Sequence, residues 1–232
     1  MREDTFLQSY GQLLIKKSIS IVELGLWNGK MGMAITLFHL FRITKKPEYE
    51  MQANDLIEEI YGSISNSIPF HFADGLLGIG CGFEYIVGKG FVEGDSDEIL
   101  LEIDQITKNM IDFRPMDSLD IGKGVCGVGC YLYYRLRNKL GNDESMTTLK
   151  LKEYLIYLID WIEELLLKTK EKTDYNDVYC LFCRFRELDV FNYKVEKLAT
   201  FCLEKMLDSN CLIQDNYDLL GIQSLKVLKP WI

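Results

Sequence analysis

The chain has 232 residues, of which 48% are hydrophobic and 26% are charged, so it can bury a sizeable core. Its net charge of −9 repels phosphate backbones and anionic membranes, so neither nucleic acid nor a membrane is an expected partner. The seven cysteines are an odd number, and no apolar stretch approaches the roughly 20 residues that span a bilayer. We therefore predict free thiols and a cytoplasmic location.

In chain order, the hydrophobic pattern predicts helices of two alternating kinds. Amphipathic helices are predicted at 53–64, 99–111 and 151–167, and helices that are apolar nearly all round are predicted at 33–41, 79–87 and 128–136. Helices of the second kind are expected to be enclosed. Asp95 and Glu98 have the spacing of a capping box, and Asn28 and Asp74 are placed to cap two of the apolar helices.

A glycine motif precedes each apolar helix. Two glycines separated by two residues are followed by an aliphatic residue or Met and then by Gly or Ala. The glycine pairs are Gly29 and Gly32, Gly75 and Gly78, and Gly124 and Gly127. The second glycines lie 46 and 49 residues apart, which indicates a repeat of about 47 residues. Glycine inside a helix costs up to about 1 kcal/mol, so its recurrence at one register indicates close backbone packing.

The motif degenerates after residue 140. The segment 218–222 keeps Gly221, which follows Gly127 by 94 residues, or two periods, and the intervening copy without glycines is expected near 178–184. Residues 141–143 and 168–174 read as polar loops. Five units then account for the length, so we predict a single all-α domain over 1–232, built of about five hairpins. Each unit would be an outer helix, a glycine turn and an inner helix.

The runs 25–32, 72–80 and 119–127 resemble the first three repeats of bacterial lanthionine synthetase C-like proteins. The resemblance covers about the first 140 residues and returns weakly at 218–228. It implies an (α/α) toroid, in which inner helices form a ring and outer helices surround it. Full-length members have seven hairpins, so a ring of about five is incomplete. Its free edge would be covered by the C-terminal hairpin or by another subunit.

The resemblance also implies a zinc site in catalytic members, formed by a Cys of one late repeat and a Cys-His pair of the next. The zinc activates a peptide thiol for attack on a dehydrated Ser or Thr, which closes a thioether ring. This sequence has no Cys-His dipeptide, and both His39 and His71 precede the late repeats. Cys180 matches the first ligand, but Asn216-Tyr217 stands where the pair should be. We predict no metal, no cofactor and no zinc-dependent cyclase activity.

Four residues are candidates to line a central cavity: His71, Asp74, Glu84 and Asp120. Two carboxylates across such a cavity would suit glycoside hydrolysis, which other toroids perform. His71 and Asp74 would form a dyad without an evident nucleophile. Capping and solvated-rim roles are the structural alternative for these residues.

The cysteines are expected to be structural. Cys180 and Cys183 form a C-x-x-C, but a structural zinc normally needs a second pair, and none exists. Cys81 and Cys130 occupy the repeat register that Ile35 holds in the first copy, so all three are predicted core positions.

Three hypotheses about function follow. The first is a lanthionine synthetase C-like protein of bacterial peptide modification, such as lantibiotic biosynthesis, that binds a peptide or partner protein without zinc-dependent cyclisation. The second is a toroid carbohydrate-active enzyme with paired carboxylates. The third is a helical-repeat scaffold without small-molecule chemistry. A homo-oligomer is compatible with each of them.

Overall fold

The computed structural model describes residues 2–65, 67–139, 145–169, 172–208 and 220–232, which form helices and no strand. The helices are α1 (Arg2–Ser18), α2 (Lys30–Thr44), α3 (Pro47–Ser63), α4 (Leu76–Gly88), α5 (Ser96–Ile99), α6 (Leu101–Phe113), α7 (Val125–Arg137), α8 (Met146–Leu166), α9 (Lys172–Phe185), α10 (Asn192–Asp208) and α11 (Gln223–Lys226). Two short 3-10 helices cover Arg186–Leu188 and Lys229–Trp231.

The helices form the predicted two layers. The inner helices α2, α4, α7 and α9 pack side by side in chain order, and α11 packs on α2. Each of these four inner helices is followed in the chain by an outer helix that packs on it. The pairs are α2 with α3, α4 with α6, α7 with α8 and α9 with α10. The predicted all-α toroid is confirmed.

The inner helices are enclosed, as predicted. Every residue is buried over 31–40 in α2, 76–84 in α4 and 125–136 in α7. Ile35, Cys81 and Cys130 are fully buried, so the prediction that this register belongs to the core is confirmed. Removing such long apolar faces from water is the main stabilising contribution to a helical fold of this kind.

The paired glycines sit where a loop crosses its own inner helix. A Cβ added at Gly32, Gly78 or Gly127 would meet the carbonyl oxygen of the residue six positions earlier, which is Leu26, Phe72 or Ile121. The first glycines precede the helices with negative φ values between −129° and −105°, so no left-handed conformation requires them. Close backbone approach, and not unusual backbone angles, therefore explains the motif.

The loops of successive units are joined by backbone hydrogen bonds. The amides of Leu26 and Trp27 donate to the carbonyl oxygen of Ala73 at 3.0 and 2.9 Å. The amides of Phe72 and Ala73 donate to that of Gly122 at 3.0 and 2.9 Å. In the fourth unit the acceptor is a side chain and not a loop carbonyl: the Ile121 amide donates to a carboxylate oxygen of Asp177 at 3.2 Å. The same link thus continues into the unit that lost its glycines.

The C-terminal segment covers the free edge of the first unit, which is one of the two predicted alternatives. Cγ2 of Ile222 lies 3.3 Å from the Cβ position of Gly32, and Leu26 and Phe72 contact Gly78 and Gly127 in the same way. Ile222 is therefore the counterpart of Leu26. This places Gly221, which has φ of 65°, one residue before that position and not at the predicted second glycine.

Polar side chains fix the same segment to α1 and α2. The Tyr10 hydroxyl donates to the carbonyl oxygen of Ser224 at 2.7 Å, and the hydroxyls of Thr36 and Ser224 are 2.7 Å apart. The rings of Phe6 and Trp231 stack with centroids 6.0 Å apart. The last unit is thereby held against the first.

The predicted caps need correction. Gly29 and Gly75 occupy the N-cap positions of α2 and α4 without a side-chain hydrogen bond, so Asn28 and Asp74 do not cap these helices. Loop carbonyls replace them, since the amides of Lys30 and Leu76 donate to Glu23 and Pro69 at 2.8 and 2.9 Å. Asp95 does cap a helix, through the amide of Asp97 at 2.8 Å, but that helix is the short α5, and α6 begins at Leu101.

Within the described ranges, no helix has both the length and the apolar character needed to cross a bilayer. The predicted loop at 141–143 lies outside these ranges, and the loop predicted at 168–174 is shorter than expected, because α9 begins at Lys172.

Candidate functional site

The loops that precede the inner helices gather at one end of the ring, which we name the loop face. It contains three of the four predicted cavity residues. His71 Nδ1 lies 3.0 Å from Asp74 Oδ1, and both side chains are accessible, with 33% and 49% of their surface exposed. Asp120 is also exposed and lies in the next loop along the ring. The predicted dyad of His71 and Asp74 is thus present as a contact.

Lys123 connects the two carboxylates of the loop face. Its Nζ lies 3.9 Å from Asp74 Oδ2, and its backbone amide donates to Asp120 Oδ1 at 2.6 Å. The Asp120 amide in turn donates to the Ser118 hydroxyl at 3.2 Å. Each acidic side chain therefore has a donor or cation beside it, and the face presents both signs of charge. Sequence reasoning did not single out Lys123, although its place between Gly122 and Gly124 marks it as a loop residue.

The Trp27 ring lies against two loops of this face. A Cβ at Gly122 of the third unit would lie 3.3 Å from the far edge of the indole, and a Cβ at Gly221 would overlap its Nε1. Nε1 is buried and has no hydrogen-bond partner among the described residues. A buried indole N–H normally finds an acceptor, and the close packing of Trp27 against Gly221 makes this one an exception.

Glu84, the fourth predicted cavity residue, does not lie on the loop face but is buried in an ion pair. Its side chain is 2% exposed, and one of its carboxylate oxygens accepts from Arg135 at 2.6 Å. The other accepts from the Asn138 amide at 2.8 Å. A carboxylate buried in an apolar helix requires such partners, because an unpaired charge there would be costly.

Arg135 is the centre of a buried ion cluster. Its guanidinium is fully buried and binds Asp104 through two nitrogens, at 3.1 and 2.7 Å, and Asp97 at 2.9 Å. The Tyr131 hydroxyl donates to Asp104 at 2.6 Å. Burial acts to raise the pKa of Asp97, but hydrogen bonds from Lys139 and Arg135 outweigh it and lower that pKa. An arginine inside the otherwise apolar stretch 125–136 was the sequence signal for this cluster.

The residues present do not fit the zinc site that the resemblance implies. His39 is buried in α2, with Nε2 2.8 Å from the Tyr85 hydroxyl, and burial lowers its pKa to about 4, assisted by the charges of Arg42 and Lys89. His71 is engaged with Asp74. In the part of the chain that the structure describes, no group of three or more His, Cys, Asp or Glu side chains is placed to hold a metal ion. Residues 211, 216 and 217 lie outside that part.

The six described cysteines form no disulfide with one another. Cys180 and Cys183 are half-buried on α9, and an Arg186 nitrogen lies 3.8 Å from the Cys183 sulfur. Burial raises the pKa of Cys126 and Cys130, and it raises that of Cys202 to about 12. A thiol with a raised pKa is a poor nucleophile at neutral pH. These three cysteines therefore have a packing role.

Comparison with known proteins is consistent with this architecture. The family model described as lanthionine synthetase C-like protein matches residues 20–180, which is more than half of the chain. No curated protein matches the chain.

Proposed function

Because the chain belongs to the lanthionine synthetase C-like family, we propose that it binds a peptide on its loop face, as part of bacterial peptide modification such as lantibiotic biosynthesis. We further propose that it does not carry out zinc-dependent cyclisation. The chain has an odd number of cysteines, seven, which suits a reducing compartment, so we assign this role to the cytoplasm.

The composition of the loop face carries the proposal. A half-buried indole shares this face with an imidazole, a lysine and two carboxylates, and these four polar side chains are accessible. Peptide recognition combines an aromatic anchor with a polar rim, and Trp27 with its charged neighbours provides both. A face with positive and negative side chains can bind both termini and the amide groups of a peptide, and it suits a uniformly charged ligand less well.

The proposal excludes cyclisation because the chain lacks suitable zinc ligands. A peptide thiol must become a thiolate before it attacks, and zinc provides this in catalytic members by lowering the thiol pKa. Both histidines of the chain are engaged elsewhere, one buried against Tyr85 and one beside Asp74. No step through zinc is therefore derived for this protein.

The paired-acid alternative has less support. A glycosidase needs a carboxylic acid held protonated near a second carboxylate. Glu84 is committed to Arg135, whereas Asp74 and Asp120 are exposed and sit beside Lys123. A catalytic carboxylic acid normally lies in apolar surroundings without a fixed cation, whereas Asp74 and Asp120 are exposed and Glu84 is held by the buried Arg135.

Selection from a random peptide library tests peptide binding. The full-length protein is immobilised, peptides are enriched by display, and the Kd of each selected peptide is measured by calorimetry. We expect Asp74→Lys to weaken selected peptides by about tenfold, because it reverses a charge on the loop face. Asp55→Lys is the matched control, since Asp55 is an exposed aspartate on the outer helix α3.

Three results would contradict the proposal. If no peptide is enriched, or if Asp74→Lys and Asp55→Lys have equal effects, the loop face is not the binding surface and the scaffold hypothesis gains support. If the purified protein contains stoichiometric zinc and cyclises a dehydrated cysteine-containing peptide, the exclusion of cyclase activity is wrong.

A further inference from the structure

The end of the ring opposite the loop face also carries a repeated set of side chains. Residues ten positions after the first glycine of each motif are His39, Tyr85 and Tyr134, and residues thirteen positions after it include Arg42 and Arg137. These positions lie at the C-terminal ends of α2, α4 and α7. The ends are adjacent, since a guanidinium nitrogen of Arg42 donates to the Lys89 carbonyl oxygen at 2.7 Å.

A cleft of about 130 Å³ opens between α4 and α7 at this end. Its lining residues are Tyr85, Gly88, Lys89, Tyr134, Arg137 and Asn138. On this measure a cavity of about 10–15 Å³ already holds one water, so the cleft has room for a small polar group. This volume suits one small polar group and excludes a larger ligand from its interior.

The charges at the cleft are positive, although the chain as a whole carries −9. Lys89 and Arg137 are exposed, and neither forms an ion pair with a described residue. The Lys89 ammonium lies 5.7 Å from the centre of the Tyr85 ring, and the Arg137 guanidinium lies 5.8 Å from that of Tyr133. Aromatic faces can hold cations in place without neutralising them.

The nearby carboxylates are bonded to other groups. Glu84 accepts from Arg135 and Asn138. Glu187 accepts from the Tyr133 hydroxyl at 2.6 Å and from Arg184 at 3.2 Å. Neither carboxylate forms an ion pair with Lys89 or Arg137, so both cations can contact an external anion.

We propose that this cleft binds a small oxyanion, namely a phosphate or carboxylate group of a ligand, between Arg137 and Lys89. The guanidinium of Arg137 offers paired donors that match an oxyanion, and Lys89 adds a second positive charge. The lowered pKa of His39, to which Arg42 and Lys89 contribute after burial, agrees with a positive field at this end. The site is at the opposite end of the inner helices from the loop face, so it stands or fails independently of peptide binding there.

Amide chemical shifts of the full-length protein provide the test. Sodium phosphate and sodium acetate are titrated separately, with sodium chloride at equal ionic strength as the reference. We expect saturable shifts at Gly88, Lys89 and Asn138 with a Kd of about 1 mM, as is common for a single small ion. Arg137→Gln should raise that Kd about tenfold, because a charge-assisted hydrogen bond is lost. Lys89→Gln should act similarly and gives a second variant should the first fail to fold.

Lys150→Gln is the control, because it removes an exposed positive charge from the outer helix α8. Its Kd should equal that of the unsubstituted protein. Tighter binding of phosphate than acetate assigns the site to a phosphate group, and the reverse order assigns it to a carboxylate. Shifts that do not saturate, or that are the same in Arg137→Gln and Lys150→Gln, would overturn the proposal.

Discussion

Replacing Gly78 with alanine should destabilise the protein, although alanine is the better helix former. An added Cβ would overlap the carbonyl oxygen of Phe72 and would lie 2.9 Å from Cβ of Leu26, whereas ordinary contacts begin at 3.4 Å. The Phe72 backbone cannot easily retreat, because its amide and that of Ala73 both donate to Gly122. The substitution therefore forces the second unit away from its own loop or from the first unit.

The size of the effect follows from two opposing contributions. Alanine in a helix gains up to about 1 kcal/mol over glycine. Overpacking against a fixed backbone costs about 3 kcal/mol, at the upper end of its usual range. We expect a net loss of about 2 kcal/mol in the free energy of unfolding, which for a chain of this size lowers Tm by about 4–8 °C. Urea denaturation followed by far-ultraviolet circular dichroism measures it.

Gly62→Ala is the matched control within the same chain. Gly62 lies in the outer helix α3, and a Cβ there would meet nothing within 4 Å. This variant should be as stable as the unsubstituted protein or more stable by up to about 1 kcal/mol. If Gly78→Ala were also neutral or stabilising, the inference that the repeated glycines serve close backbone packing would be wrong.

Substitutions at three further positions, with their controls, test the buried polar groups. In urea denaturation, Arg135→Met should lower the free energy of unfolding by about 3–5 kcal/mol, because it leaves buried carboxylates without a cation. The control Arg184→Met, at an exposed arginine, should lower it by less than about 1 kcal/mol. Asp177→Ala should lower the free energy of unfolding by about 1–3 kcal/mol and speed hydrogen exchange at the Ile121 amide, which loses its acceptor. Asp177→Asn keeps an acceptor oxygen, so exchange at Ile121 should stay close to that of the unsubstituted protein. The pKa of His39 is lowered from 6.5 to about 4, so protonation favours the unfolded chain as pH falls through that window. The unsubstituted protein should therefore lose about 2–3 kcal/mol more than His39→Gln between pH 6.5 and pH 4 in urea denaturation.

The link between the loops gives the repeat its tolerance to sequence change. The second and third units provide a loop carbonyl, at Ala73 and Gly122, for the amides of the preceding unit. The fourth unit lacks the glycine motif and provides the carboxylate of Asp177 in its place. A hydrogen bond between units is therefore preserved after the glycines are lost, because a buried amide needs an acceptor of any kind.

The sequence was sufficient for the helices and their layers. An apolar pattern around the whole helix indicates enclosure, and glycine pairs at a fixed period indicate where backbones meet. Both signals are local, since each depends on a few neighbouring residues. The same local reasoning misplaced the caps. Gly29 and Gly75 occupy the N-cap positions, and the carbonyl oxygens of Glu23 and Pro69 accept from the first helix amides in place of the side chains of Asn28 and Asp74.

By itself, therefore, the sequence determined the repeat, the enclosed helices and the family resemblance. It also singled out the loop residues His71, Asp74 and Asp120 as candidates for a site. Only the tertiary structure decided that Lys123 joins these carboxylates, that Glu84 pairs with Arg135, and that Trp27 meets Gly221. The last contact joins residues 194 positions apart. Such pairings depend on how the ring brings its first and last units together, and no local pattern of residues encodes that distance.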